Sequence, residues 1–233
     1  MKIVAAAAAA CLSTAACAGD LNNIGSLTQD EFSQLSRDLG AAFSYKGVTP
    51  ATPLGPLGFD VGVEVSDTRI ENKDAYQRAG GGSSDIVVPK LHITKGLPAR
   101  FDIGAFVGGA AQVNATVVGA ELRYAMIDDT MTTPAVALRL AGTNTSGISD
   151  LRIYTASLDA MISKQLTAFT PYAGVGAVRV SSSPKNSGLS DETDTLGRGF
   201  IGAQLNFVGA NLAFEAERMG SNTTFSAKVG IRF

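Results

Sequence analysis

Apolar and polar residues alternate along most of the chain from residue 57 onward. Between residues 57 and 66 every second residue is apolar, and the residues between them are glycine, aspartate, glutamate or serine. Because successive side chains of a β-strand point to opposite faces, this segment predicts a strand with one apolar and one polar face. Similar segments follow at 86–94, 100–108, 114–126, 135–142, 151–162, 171–180, 199–207, 211–218 and 223–233. The pattern therefore predicts an all-β chain of about ten strands.

The connections between the predicted strands form two alternating series that differ in length. Residues 94–98, 128–133, 164–169 and 208–210 are short connections, whereas 67–85 and 181–197 are long and polar and belong to the other series. Most predicted strands have about the nine to eleven residues that a tilted strand needs to cross a bilayer. Short turns at one end and longer loops at the other are expected for an antiparallel up-and-down barrel in a membrane.

The closing strand carries the clearest of these patterns. Phe225, Ala227, Val229, Ile231 and Phe233 share one face, and the chain ends on Phe233. This ending resembles the closing strand of bacterial outer-membrane β-barrels. The resemblance implies a transmembrane barrel of about ten strands, within eight to twelve, surrounded by outer-membrane lipid. It also implies that Phe225, Val229, Ile231 and Phe233 are an assembly signal, read by the barrel-assembly machinery after delivery by periplasmic chaperones, and that the C-terminus is periplasmic.

The first 18 residues match a secretory signal peptide. Lys2 supplies the positive charge, residues 3–12 an apolar, alanine-rich core, and residues 16–18 a cleavage site with small residues at its first and last positions. Cleavage after residue 18 would remove both cysteines, Cys11 and Cys17, and leave a mature chain without a disulfide. The alternative is a lipid-modified Cys17, because two alanines precede it as in lipoprotein signals.

Residues 29–39 form the one predicted helix. Thr28 and Glu31 have the spacing of a capping box, and Gly40 is the predicted C-terminal stop. The helix is amphipathic and too short to be stable alone, so its apolar stripe needs a docking surface. The sequence therefore predicts a helix that packs against the barrel.

Residues 19–56 are predicted to lie on the periplasmic side, where they cap the mouth of the barrel or insert into its lumen. A single additional wall strand at residues 41–48 would leave the helix outside the cell, because each wall strand crosses the membrane once. A twelve-strand barrel that uses part of this region is the alternative. Residues 57–233 form the predicted barrel.

Almost every charge near the centre of a predicted strand falls on the face opposite the cleaner apolar one. These residues are predicted to line the lumen, and they are Asp60, Glu64, Lys90, His92, Asp102, Glu121, Arg123, Arg139, Asp159, Arg179, Glu215, Glu217, Lys228 and Arg232. Buried charges are tolerated when they pair, and Lys228 is expected to bond Glu215 or Glu217 on the neighbouring strand. The network is interpreted as filling and stiffening a narrow lumen, and a charged pore or a binding cleft is the alternative.

Composition excludes several classes of protein. No stretch beyond the N-terminus runs 18 residues without polar interruption, so membrane-spanning helices are excluded. The net charge is −2, which removal of Lys2 makes −3, and this balance argues against a nucleic-acid partner. Neither a cofactor nor a metal site is predicted, and the barrel is expected to be a monomer.

Function is predicted only at the level of the barrel. The leading hypothesis is a structural outer-membrane barrel or a narrow passive conduit with a charge-lined lumen. A barrel enzyme acting on lipid is one alternative, but no catalytic residue is predicted: His92 shares its face with Thr94 and not with a serine nucleophile, and is expected to bond Asp60, Asp102 or Glu64. A surface-binding barrel that uses loops 67–85 and 181–197 is the other alternative.

Overall fold

The structure is a computed structural model that describes residues 21–82, 84–185 and 187–233. The predicted signal peptide, its cleavage site and the lipidation alternative at Cys17 lie outside the described residues. Among the helices of the described residues, none combines the length and the apolar character needed to cross a membrane.

Ten antiparallel strands form one closed barrel, in which each strand pairs with its sequence neighbours and β1 pairs with β10. The strands are β1 (Phe59–Arg69), β2 (Asp85–Gly96), β3 (Phe101–Ala110), β4 (Ala115–Ile127), β5 (Ala135–Ser146), β6 (Leu151–Ser163), β7 (Phe169–Pro184), β8 (Glu192–Phe207), β9 (Ala210–Met219) and β10 (Asn222–Arg232). The predicted all-β, up-and-down barrel is confirmed. The segment 41–48 is not a strand, so the twelve-strand alternative is wrong.

The two ends of the barrel differ in their connections. We call one end the C-terminal mouth; it holds Phe233 and the connections 97–100, 128–134, 164–168 and 208–209. We call the other end the loop mouth; it holds the connections 70–84, 111–114, 147–150, 185–191 and 220–221. The loop mouth carries the longest connection, which contains a short helix, α2 (Lys73–Arg78).

The two long loops are shorter than the sequence predicts. β7 continues to Pro184 and β8 begins at Glu192, so the connection between them is only 185–191. Ser181 pairs with Thr193, and the next residue of β7 pairs with Glu192, which extends the ladder. Backbone hydrogen bonds do not require apolar side chains, and the strands therefore continue past the apolar band on which the prediction depended.

The N-terminal helix α1 spans Gln29–Phe43 and has the predicted capping box between Thr28 and Glu31. It continues past the predicted end at residue 39. A Cβ atom added to Gly40 would lie 2.5 Å from Cγ2 of Val180, which shows how closely the helix packs against β7. Gly40 therefore permits this close contact inside the helix and does not end it.

Residues 21–58 cross the whole lumen from the loop mouth to the C-terminal mouth, and we call them the plug. At the loop mouth, the backbone N–H of Asn23 donates to the carbonyl of Ala79 at 3.2 Å. At the opposite end, the backbone N–H of Leu54 donates to Asp102 at 3.1 Å, and β1 begins at Phe59. The plug therefore occupies the lumen, which is one of the two predicted placements, and α1 lies near the mouth opposite Phe233. A segment that passes through the lumen crosses the barrel without adding a wall strand, so counting wall strands does not fix its direction.

The interior has two zones. Near the loop mouth it is apolar: Phe32, Leu35 and Leu39 of α1 belong to one buried cluster with Val178 and Val180 of β7. Below α1, residues 44–58 run in irregular conformation through the half of the lumen that contains the charged side chains. The wall therefore packs against a helix near the loop mouth and against an irregular segment near the C-terminal mouth.

Candidate functional site

The charged residues predicted to line the lumen lie on the inward face and are largely buried, with one exception. Arg179 is exposed on the outward face of β7, so its predicted place in the lumen is wrong. Its neighbours Val178 and Val180 point inward and are buried, because the interior at this height is occupied by the apolar stripe of α1. β7 therefore reverses the usual order of an apolar outer and a polar inner face near the loop mouth.

Asp159 joins two arginines near the centre of the lumen. Its carboxylate accepts a hydrogen bond from Nε of Arg139 at 2.9 Å and another from Nε of Arg198 at 3.0 Å. Arg198 also donates from Nη1 to the backbone carbonyl of Tyr45 at 2.7 Å. These three charged side chains are buried, and together they connect β5, β6 and β8 to the plug.

Arg198 was not predicted, because the alternating segment that marks β8 in the sequence begins at residue 199. The strand begins at Glu192, and Arg198 lies two residues before the inward Phe200. The guanidinium carbon of Arg198 is 5.9 Å from the centre of the Phe200 ring. An inward aromatic residue two positions later is thus the one sequence signal that would have placed Arg198 in the lumen.

Asp102 and Arg123 hold the plug near the C-terminal mouth. The two side chains form a salt bridge of 2.6 Å. Nη1 of Arg123 donates to the carbonyl of Pro50 at 3.1 Å, and the N–H of Leu54 donates to Asp102 at 3.1 Å. A wall ion pair therefore satisfies backbone groups of an irregular segment, which would otherwise be buried without partners.

Glu64 receives Lys90 and His92 from the neighbouring strand. Lys90 donates to one carboxylate oxygen at 2.7 Å, and Nε2 of His92 lies 2.6 Å from the other oxygen. The His92 ring stacks on Phe106 at 5.2 Å and is buried. His92 thus lies beside one of its three expected partners and is buried in the interior.

Asp60 forms salt bridges with two basic residues near the C-terminal mouth. Lys228 lies 3.1 Å from one carboxylate oxygen, and Nε of Arg232 donates to the other at 2.9 Å. The expected bond between Lys228 and Glu215 or Glu217 is therefore wrong. β10 has two neighbours in a closed barrel, and Lys228 turns toward the carboxylate on β1.

Glu217 lies beside cations that belong partly to the plug. Nζ of Lys46 is 3.5 Å from Glu217, and Nη1 of Arg198 is 3.6 Å away. Lys46 also donates to the carbonyl of Ala41 at 2.6 Å. Lys46 was not predicted, because its segment was placed outside the strands of the wall. Glu215 is also buried.

Asp38 fixes α1 to the loop mouth. This buried carboxylate accepts the backbone N–H of Asn72 at 2.9 Å and the side-chain amide of Asn222 at 2.8 Å. Burial raises the pKa of Asp38, and the hydrogen bonds from the two asparagines oppose that rise. Nearby, burial raises the pKa of Tyr76 in α2 to about 12. The first long loop is therefore a packed clamp on the helix.

The second loop also contacts α1. Glu192 accepts a hydrogen bond from the side chain of Gln29, and Asp194 forms a salt bridge with Arg37. The described residues contain no group of three or more acidic, histidine or cysteine side chains arranged for a metal ion. The interior arrangement therefore fastens the plug inside the lumen.

The four residues of the predicted assembly signal all lie on the outward face of β10 or just beyond its end. Phe225 is 62% exposed, Val229 is 52% exposed and Phe233 is 75% exposed. Phe233 also pairs through its backbone with Phe59, the first residue of β1. The closing strand thus combines an apolar outer face with the seam of the barrel.

No protein-family model and no curated protein matches this sequence. Among solved structures, the chain is similar to the translocator domain of the autotransporter NalP from Neisseria meningitidis, with 10% identity, a TM-score of 0.42, and coverage of 88% of this chain and 95% of that chain. It is also similar to the KdgM porin, with 12% identity, a TM-score of 0.38, and coverage of 76% of this chain and 99% of that one. The assignment as a closed barrel depends on the strand pairing within this chain.

Proposed function

We propose that the chain is an integral outer-membrane β-barrel whose lumen is sealed by its own N-terminal plug. In this proposal the wall spans the membrane and the protein acts as a structural element of the envelope, closed to passive diffusion. One observation supports the sealed state most strongly: every residue from Asp38 to Ala51 is buried inside the barrel. Most of the lumen charges pair with one another or bond to the plug, which supports a sealed lumen over a charge-lined channel.

The outer surface supports a membrane location. Large apolar side chains point outward around the wall, and many are about half exposed, including Leu91 at 52%, Leu140 at 57%, Leu158 at 56%, Val175 at 66% and Phe214 at 51%. A continuous exposed apolar band of this kind is unusual on a water-soluble monomer. Lipid would cover it, and the closed ladder leaves no strand edge to pair with a second copy, which favours a monomer.

The orientation follows from the resemblance of the closing strand. If the C-terminal mouth faces the periplasm, the loop mouth and the start of the plug face outward. Asn22 is exposed at the loop mouth, and Met131 is 99% exposed at the C-terminal mouth. The sequence has cysteine only at positions 11 and 17, so single cysteines at these two sites report the two mouths separately.

Labelling of intact cells with a membrane-impermeant maleimide tests this orientation. Asn22→Cys should react in intact cells, whereas Met131→Cys should react only after the outer membrane is permeabilised. The unsubstituted chain controls for labelling at its own cysteines. The reverse order of reactivity would show that the barrel is inverted, and recovery of the protein in the soluble fraction would refute the membrane assignment.

Planar bilayer recordings test the seal. The purified wild-type protein should show no unitary conductance steps, while incorporation is verified by heat-modifiable gel migration. In Gly40→Leu the added side chain would collide with Val180, displace α1 and allow conductance steps. Steps of equal size and frequency in wild type and Gly40→Leu would contradict a sealed lumen.

A further inference from the structure

Three arginines on the outward wall near the loop mouth have no protein partner. Arg152 of β6, Arg179 of β7 and Arg218 of β9 are exposed on the outer face. Within residues 21–82, 84–185 and 187–233, none of the three guanidinium groups makes a hydrogen bond or a salt bridge. A guanidinium at the edge of an apolar wall carries its charge at all physiological pH values and favours an anionic partner.

The basic residues at the opposite end of the wall differ in this respect. Nζ of Lys95 donates to the carbonyl of Pro56 at 2.8 Å. Arg100 forms a salt bridge with Asp128 at 3.0 Å, and Lys164 forms one with Asp129 at 2.8 Å. The C-terminal mouth therefore supplies its own counter-charges, whereas the loop mouth leaves three arginines to be neutralised from outside the protein.

An apolar groove on the outer wall ends beside Arg218. The groove has a volume of about 710 Å³, and its floor includes Gly199 and the small side chains of Ala160, Ala173 and Ala216. Opposite Arg218 in the strand pairing stands Gly199, and two residues along the same strand Gly197 faces outward as well. The wall beside Arg218 therefore has no side chains at positions 197 and 199 that would cover the backbone.

The protein itself does not require glycine at position 199. A Cβ atom added there would meet no atom within 4 Å, and the same holds at Gly197. Neither residue has a positive φ angle. A glycine in the interior of a strand weakens it, and one common reason for its presence is the close approach of a ligand. The open wall beside Arg218 thus has the shape for an external molecule to lie against the backbone.

We propose that this groove binds a phosphorylated lipid of the outer leaflet. An acyl chain would lie over Gly199 and the three alanines, and the phosphate would accept hydrogen bonds from Arg218, which lines the groove. Arginine binds phosphate through two parallel N–H donors, and an acyl chain matches the apolar floor. This inference rests on the proposed membrane location with the loop mouth outward.

Native mass spectrometry of the detergent-solubilised full chain provides the test. The probes are lipid A that carries both phosphates and the same lipid with its phosphates removed. Wild type should retain the phosphorylated form at least about tenfold more strongly, which corresponds to the loss of one charge-assisted hydrogen bond. Arg218→Gln should lose most of this preference. Gly199→Leu should weaken the binding of both lipids, because the added side chain fills the groove.

The matched control is Ala227→Leu, which enlarges an exposed outward residue on β10 without touching the groove. It should bind like wild type, and heat-modifiable migration shows that each variant is folded. Equal retention of the two lipids, or unchanged retention by Arg218→Gln, would overturn the proposal. Complete competition by inorganic phosphate would show a phosphate site without lipid recognition and would also overturn it. Failure of the wild type to insert into phospholipid vesicles would instead refute the membrane assignment.

Discussion

Replacing Asp159 by alanine should destabilise the barrel more than any single change at its surface ion pairs. Asp159 is the hydrogen-bond acceptor for Nε of Arg139, and the two Nη atoms of that arginine have no partner among the described residues. Asp159→Ala would therefore remove the one hydrogen bond that the structure gives the buried Arg139 guanidinium, together with both hydrogen bonds from Arg198 to this carboxylate. Breaking a buried ion pair by deleting one partner costs about 3–5 kcal/mol.

The matched control is Asp194→Ala. Its salt bridge with Arg37 lies at the loop mouth, where the two side chains are 33% and 50% exposed. Exposed pairs contribute about 0–1 kcal/mol, so this variant should unfold almost like wild type. The contrast between the two aspartates isolates the effect of burial from the effect of removing a carboxylate.

Urea-induced unfolding in phospholipid vesicles measures the difference. Because the chain has no tryptophan, circular dichroism and gel mobility are suitable probes. In the double variant Asp159→Ala with Arg139→Met, the unpaired cation is removed, and about 1–3 kcal/mol should be recovered relative to additivity. A free energy of unfolding for Asp159→Ala within about 1 kcal/mol of wild type, or strict additivity, would refute the role of this pair.

Three further predictions concern the plug, its clamp and the closing strand. Thr28→Ala removes the N-cap of α1 and should cost about 0.5–2 kcal/mol, seen as faster amide exchange in the helix than in the wall. Tyr76 has a folded-state pKa of about 12 against 10.0 in the unfolded chain, so the folded state holds the proton more tightly and stability should fall between those pH values. Tyr76→Phe should lack this fall, and an identical pH profile in the two proteins would contradict the assignment. Phe233→Ala should lower the amount of assembled barrel in cells, as quantified by heat-modifiable migration. The protein that does assemble should have nearly the unfolding free energy of wild type.

The alternating pattern of the sequence was sufficient for the wall. Period-two alternation is a local property that each strand repeats, and strand pairing in a meander follows chain order, so ten strands and their inward faces could be predicted. The capping box was likewise local, and Thr28 and Glu31 appear as predicted. The inward positions of most lumen charges follow from the same alternation.

The contents of the lumen depended on tertiary structure. The segment 44–56 has no regular two-residue pattern, and its backbone bonds to wall side chains such as Arg123. The direction of the plug, and hence the outward turn of Arg179, arises from packing of α1 against Val180, which involves residues far apart in the chain.

The sequence by itself determined a ten-strand barrel with an apolar outer face and a charged inner face, because those properties repeat with the two-residue period of the strand. Only the tertiary structure decided which partner each buried charge takes and that residues 21–58 run through the lumen. Lys228 illustrates the difference: alternation places it inside, but the choice of Asp60 over Glu215 or Glu217 depends on the distances that ring closure creates.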